Sequence, residues 1–265
     1  MSQNQRIALL LGICAVAVTA TLFVPPIAQD PQYHNLADRR VIAGIPNFGD
    51  VVSNLAFLIV GVLGLVCLNQ IRDDHSRLLD KREAYPFTVI FAGAMLIFAG
   101  SAYYHWSPSN ETLVWDRLPI ALTIMGILSM VIVERISVKA GVVLLVPLLM
   151  LGLASVIYWQ VTEQAGQGDL RPYALVQFLP ILLILVILWL FPGRYSGTRY
   201  IVEMIGWYAV AKIFEFWDAA ILEWTGGLVA GHSIKHFASA WAIYALVRYL
   251  KHRQRIPGRP METGH

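Results

Sequence analysis

Charge is scarce in this chain. Lys, Arg, Asp and Glu make up 14% of its 265 residues, where a soluble domain carries about 25%. That shortage argues against a water-solvated fold and leaves lipid as the main solvent. Cysteine is scarce too: Cys14 and Cys67 lie in separate apolar stretches with no CxxC spacing, and so argue for neither a disulfide framework nor a thiolate metal site. Alternating polarity is missing. Val142 to Leu153 and Ile181 to Leu190 are apolar without a period of two, which excludes a transmembrane barrel of strands about ten residues long. Nor is any connection long enough to hold a second folded domain.

What the sequence does contain is apolar runs. Eight windows, at roughly 7 to 24, 50 to 71, 86 to 105, 113 to 133, 138 to 160, 173 to 191, 199 to 220 and 230 to 250, approach the ~20 apolar residues that cross a bilayer as a helix. The expected fold is therefore an all-α integral membrane protein. Residues 29–250 form a seven-transmembrane-helix bundle, residues 1–28 add one N-terminal helix in front of it, and residues 251–265 are a basic tail. Arg6 followed by an apolar stretch and Pro25-Pro26 also fits a secretory leader, but the lack of a small-x-small site before Asp30 favours an uncleaved helix.

Orientation follows from lysine and arginine. With alternate connections assigned to opposite sides, 14 of these cations fall on one side and 4, Arg39, Arg40, Arg117 and Arg171, on the other. The positive-inside rule makes the first side cytoplasmic and places both termini there. Because the basic residues are spread over loops between apolar runs rather than gathered on one soluble face, they do not indicate nucleic acid.

Ionisable groups within spans mark functional candidates, and here they share one depth. Ser101 and His105 end the third window, four apart and on one helical face. Asp116 follows eleven residues after His105, beyond a Trp106 to Asn110 connection with a Ser-Pro turn signal. His232 and His236 open the last window with the same spacing, just after Gly231, and Asp50, Ser53 and Asn54 open the second. All lie at the outer ends of their helices. Three imidazoles are the protein ligand set of a catalytic zinc with an open fourth position, so His105, His232 and His236 are candidate Zn2+ ligands. A lone membrane histidine more often hydrogen-bonds between helices, and it is the agreement in depth that favours metal. His34, His75, His252 and His265 fall in loops or tails, where solvation is the default.

These stretches resemble the alkaline ceramidase family, part of a wider group of seven-helix membrane hydrolases that includes adiponectin-type receptors and glycosylphosphatidylinositol-lipid remodelling proteins. The matching residues are Asp50 to Phe57, with Ser53 and Asn54; Gly100, Ser101 and His105 with Trp115, Asp116 and Pro119; and Gly231, His232 and His236. The resemblance extends from about residue 33 to 250. It implies a zinc-dependent hydrolase of ceramide-like lipid amides, with His105, His232 and His236 on the metal and the catalytic residues Asp116 and Ser101 flanking its water. It also implies a bacterial-type member in the inner membrane with its site toward the periplasm. Family members also carry an acidic calcium-binding segment. Here Asp38, Asn47 and Asp50 fall short of its full set of carboxylates, so zinc is the implied ion and Ca2+ is left open.

The residues allow a role for each part. Amide hydrolysis needs an activated water, a stabilised oxyanion and a proton for the leaving amine. Asp116 is the candidate proton carrier, and Ser101 the hydrogen-bond donor. On the seventh window Lys212 and Glu215, three apart, can neutralise each other. The alternative is that Glu215 or Asp218 supports a ligand histidine from behind. Tyr103, Tyr104, Trp106, Trp115 and Trp224 read as anchors at head-group level. Apolar residues below the site, Ile97, Phe98, Trp241 and Ile243, suggest a floor for a lipid that enters laterally from the outer leaflet. The rival functions are a receptor or channel of the same fold, a lipid-remodelling esterase, and a haem-binding redox bundle, which would need histidines on both sides.

Overall fold

A computed structural model describes residues 1–257. It contains ten α-helices: α1 Gln3–Leu22, α2 Phe48–Ser53, α3 Leu55–Gln70, α4 Ala84–Trp106, α5 Asn110–Arg135, α6 Val138–Gln164, α7 Arg171–Leu190, α8 Thr198–Phe216, α9 Asp218–Trp224 and α10 Gly231–His252. The described residues form no strand, only two isolated bridges.

Six helical runs are long and apolar enough to cross a membrane: α1, α2 with α3, α4, α5, α6 and α7. The protein is thus an α-helical bundle suited to a bilayer. Helices α8 and α10 cover the remaining two windows but carry charge, which the bundle pairs internally: Glu203 with Arg248 at 2.6 Å, and Glu215 with Lys235 at 2.6 Å. Unpaired charge in lipid is costly, so pairing is what allows these helices to sit among the others.

The helices differ in burial as their sequences demand. Helix α5 is central, with 83% of its apolar window buried, whereas only 6% of α1 is buried. Leu11, Val16 and Leu22 of α1, like Val143, Val146 and Met150 of α6, project outward. In water such surface would be a liability; in lipid it is the solvated face. Both ends of the described chain lie at one end of the bundle, because Arg6 stacks over Phe191 and Arg255 bridges to Tyr195 nearby.

Local chemistry sets the helix boundaries. Ser109 caps α5 in a reciprocal capping box with Thr112, so the helix starts three residues before the apolar window does. Between α2 and α3 the side chains of Asn54 and Ser53 both donate to the Asp50 carbonyl, at 2.7 and 3.2 Å, replacing the regular helical bond there. The window expected to run from 199 to 220 instead stops at Phe216. Asp218 leaves the helix line to accept from the backbone N–H groups of His232 (2.7 Å) and Ala37 (3.4 Å), and the chain restarts as the short α9.

Candidate metal centre

Two close helix approaches assemble the site. A Cβ on Gly100 would lie 1.9 Å from the Trp115 carbonyl oxygen, so only glycine lets α4 lie backbone to backbone on α5. This contact sets Ser101 and His105 against Asp116. A Cβ on Gly231 would lie 2.4 Å from the Phe214 carbonyl oxygen, and the space it leaves open seats the first turn of α10 on the end of α8. His232 and His236 are thereby brought to the same depth as His105.

The three imidazoles form a triangle. Ring centroids are 4.7 Å apart for His105 and His232, 5.0 Å for His105 and His236, and 4.9 Å for His232 and His236, all edge to face. One ligand nitrogen from each ring lies within 4.8 Å of the others, and all three residues are buried. Among the described residues this is the one group of three or more His, Cys, Asp or Glu side chains able to hold an ion.

The surroundings fit a metal. Nδ1 of His105 is buried without a hydrogen-bond partner, an arrangement that is costly unless something else satisfies it. Nδ1 of His236 is 2.7 Å from the Ser53 hydroxyl, which donates to the Asp50 carbonyl. Ser53 therefore accepts the Nδ1 proton, and the lone pair of His236 is left on Nε2. Tyr104 meets His105 edge to face at 4.9 Å, and the Asn47 amide donates to the His105 carbonyl at 2.7 Å.

The expected pairing of Lys212 with Glu215 is present: Glu215 accepts from Lys212 at 2.7 Å, and from Lys235 at 2.6 Å as well. Asp218 caps the α10 backbone rather than an imidazole. Lys235, which the sequence reading passed over, is the group that meets the triad, with Nζ 3.2 Å from His232 Nε2. Its position three residues after His232 and one before His236 was the available signal. An ion taking that nitrogen would displace this contact and leave Lys235 to Glu215.

Asp38, Asn47 and Asp50 are each engaged with other groups of the protein. Asp38, fully buried, holds Arg40 through both oxygens at 2.7 Å and accepts from the Gly49 N–H at 2.8 Å. Burial alone would raise its pKa, but these hydrogen bonds outweigh it and hold the carboxyl below its ordinary value. Arg40 then donates to the carbonyls of Gly227 and Leu228, both at 2.8 Å. Residues 23–47 are thus latched across the histidine end of the bundle as a strap. Asp50 accepts from Ser233 at 2.7 Å.

Two residues expected at the surface are engaged by the protein instead, one buried and one half-buried. Tyr104, one of the expected head-group anchors, is 1% exposed, whereas Tyr103, Trp106, Trp115 and Trp224 are exposed as anchors should be. His34, expected in solvent, bonds Tyr104 through Nδ1 at 3.1 Å and Asn110 through Nε2 at 2.9 Å. The run of contacts from the strap through Tyr104 to His105 was invisible in sequence because its members are far apart in the chain.

Below the triad lies a chamber of about 400 Å³. Ser101, Asp116 and His236 are at its polar end, where the Ser101 hydroxyl reaches the Asp116 carboxyl. Ile97, Ile120, Ile124, Ile127, Met204 and Ile243 form much of its floor. Of the four floor residues expected, Ile97 and Ile243 line it. Phe98 and Trp241 do not; Trp241 packs outward beside Trp207 and Tyr244. Both α7 and α8 contribute to the walls, yet they are not packed on one another along their length. No protein-family model matches the chain, and no curated protein matches it.

Proposed function

We propose that the protein is a zinc-dependent hydrolase of the membrane that cleaves the amide bond of ceramide-like lipids to a long-chain base and a fatty acid. The observation that carries this is a cluster of three buried histidines, one of which, His236, lines a largely apolar chamber together with Asp116 and Ser101. An ion on His105, His232 and His236 would supply an acidified water and polarise the substrate carbonyl. Asp116, beside the same space, is placed to take the proton of the attacking water and return it to the leaving amine. Ser101 holds that carboxyl in place and offers its hydroxyl to the developing oxyanion. Ser53 fixes the tautomer of His236, and Tyr104 fixes the plane of His105. The likeness to alkaline ceramidases in these same residues supports the choice of an amide.

The gap between α7 and α8 supports lateral access: a lipid could slide its chains between them onto the isoleucine floor without crossing water. Apolar burial gives little selectivity between a chamber and a bilayer, so recognition falls to the polar end. In the same reading the seven core helices and α1 all span the bacterial inner membrane, both termini are cytoplasmic, and the site faces the periplasm. A cysteine at position 109 should then react with an impermeant probe only from outside.

The test of function is turnover by the purified protein. It should hydrolyse a ceramide-like amide faster than the matching ester, stop when a chelator strips the metal, and recover with Zn2+. Zinc held at the triad with no turnover of either lipid would leave a structural metal in a receptor of this fold.

A further inference from the structure

The chamber carries more positive than negative charge. Arg117, Lys212 and Lys235 line it against Asp116 and Glu215, and a dication on the triad would widen the imbalance. Glu215 takes both lysines. That leaves Arg117, 6% exposed and with no carboxylate of the described residues in ion-pair contact. Its Nη2 donates to the Gln29 amide oxygen at 2.6 Å, and its Nη1 has no partner. Three rings also pack around the guanidinium: Trp159 at 4.1 Å, Tyr173 at 4.9 Å and Tyr33 at 5.8 Å. Arg253, equally buried at the far end of the bundle, is instead matched to Glu134 at 2.5 Å and Glu83 at 3.5 Å. A guanidinium is built for two-pronged binding of a carboxylate or phosphate; of the chamber's two carboxylates, Glu215 is taken by the lysines and Asp116 forms no ion pair with Arg117.

We propose that the lipid this chamber accepts carries an anionic group, a carboxylate or a phosphate, close to its amide, and that Arg117 is the residue that reads it. Arg117 follows Asp116 on α5, so the two side chains diverge by about 100° around one helix. The anion therefore sits beside the scissile amide rather than in its place, while the acyl chain takes the apolar floor. An N-acylated amino acid or an amide lipid with a head-group phosphate has this layout. The position of the amide rests on the hydrolase reading above; the need for an anion does not.

The experiment measures binding by the full-length, detergent-purified protein through displacement of a fluorescent lipid. The competitors share one acyl chain: N-acylglycine, its methyl ester, N-acylethanolamine, N-acylethanolamine phosphate and the free fatty acid. The carboxylate or the phosphate should bind about tenfold or more tightly than the neutral members, and whichever does so identifies the anion. The preference should collapse in Arg117→Gln and survive in Gln29→Ala, which keeps the guanidinium. Equal binding of N-acylglycine and its methyl ester by the unaltered protein would overturn the proposal, whether or not Arg117→Gln folds. So would a free fatty acid that matches N-acylglycine, since its carboxylate belongs at the metal. Tight binding of the acid without hydrolysis of any amide would remove the enzyme reading and leave this one standing. Hydrolysis of the neutral amide with no preference for charge would do the reverse.

Discussion

The two ends of the bundle bury similar residues for opposite purposes. At the end near the termini, Arg253 lies between Glu134 and Glu83 and stacks on Tyr195 at 4.3 Å, Phe87 at 5.1 Å and Tyr249 at 5.6 Å. The hydroxyls of Tyr195 and Tyr249 donate to those same carboxylates, at 2.7 and 2.6 Å. Charge meets charge, and rings fill the space between. At the histidine end Ser101, Asp116, Arg117 and His236 line a chamber instead. A buried polar cluster is a clamp when its members serve one another. It can do chemistry when they are held by the scaffold and face a space.

The sharpest way to break this comparison is to alter the chemical end without loosening the fold. Asp116→Asn keeps shape and removes the proton carrier of the proposed reaction, so turnover should fall by about 10² to 10⁴-fold, with metal content and melting temperature unchanged. A matching loss of thermal stability would mean that Asp116 is a clamp as well. His105→Ala, His232→Ala and His236→Ala should each empty the site of zinc by elemental analysis, and full occupancy in all three would remove them as ligands.

The opposite end should respond in the opposite way. Arg253→Met strands two buried carboxylates, and breaking such a cluster costs about 3–5 kcal/mol. Denaturation in mixed micelles should show that loss, while the molecules that stay folded keep their zinc and their turnover. A smaller effect is expected at the join between scaffold and chemistry. Ser53→Ala frees the ring of His236 and should weaken metal binding by about 10 to 100-fold, read by chelator competition, with the helices intact by circular dichroism.

The smallest effect concerns the strap. The carboxyl of Asp38 has a depressed pKa in the fold, so its contribution is complete above its unfolded value of about 4 and is lost as pH falls through the lower folded one. Hydrogen-exchange protection over residues 36–50, taken relative to the intrinsic exchange rate at each pH, should therefore fall at acid pH and stay constant between pH 6 and 8. Asp38→Asn should show the lowered protection at neutral pH, and unchanged protection would mean the Arg40 contacts to Gly227 and Leu228 hold the strap alone.

The sequence by itself determined where the helices run and which depth the chemistry occupies. Long apolar runs can satisfy their backbone groups in lipid only as helices, and the four-residue spacing of Ser101 with His105 and of His232 with His236 fixes each pair to one face. The histidine triangle follows from those facts once Gly100 and Gly231 permit close approach. Tertiary structure alone decided the rest: that Lys235 meets His232, that Asp218 caps a backbone instead of an imidazole, that Tyr104 is buried and bonded to His34, and that Trp241 turns out. Those outcomes depend on which helix faces which. Hydropathy and periodicity are properties of one helix at a time, whereas a chamber, a charge left without a partner and a stacked ring are relations between residues that only packing brings together.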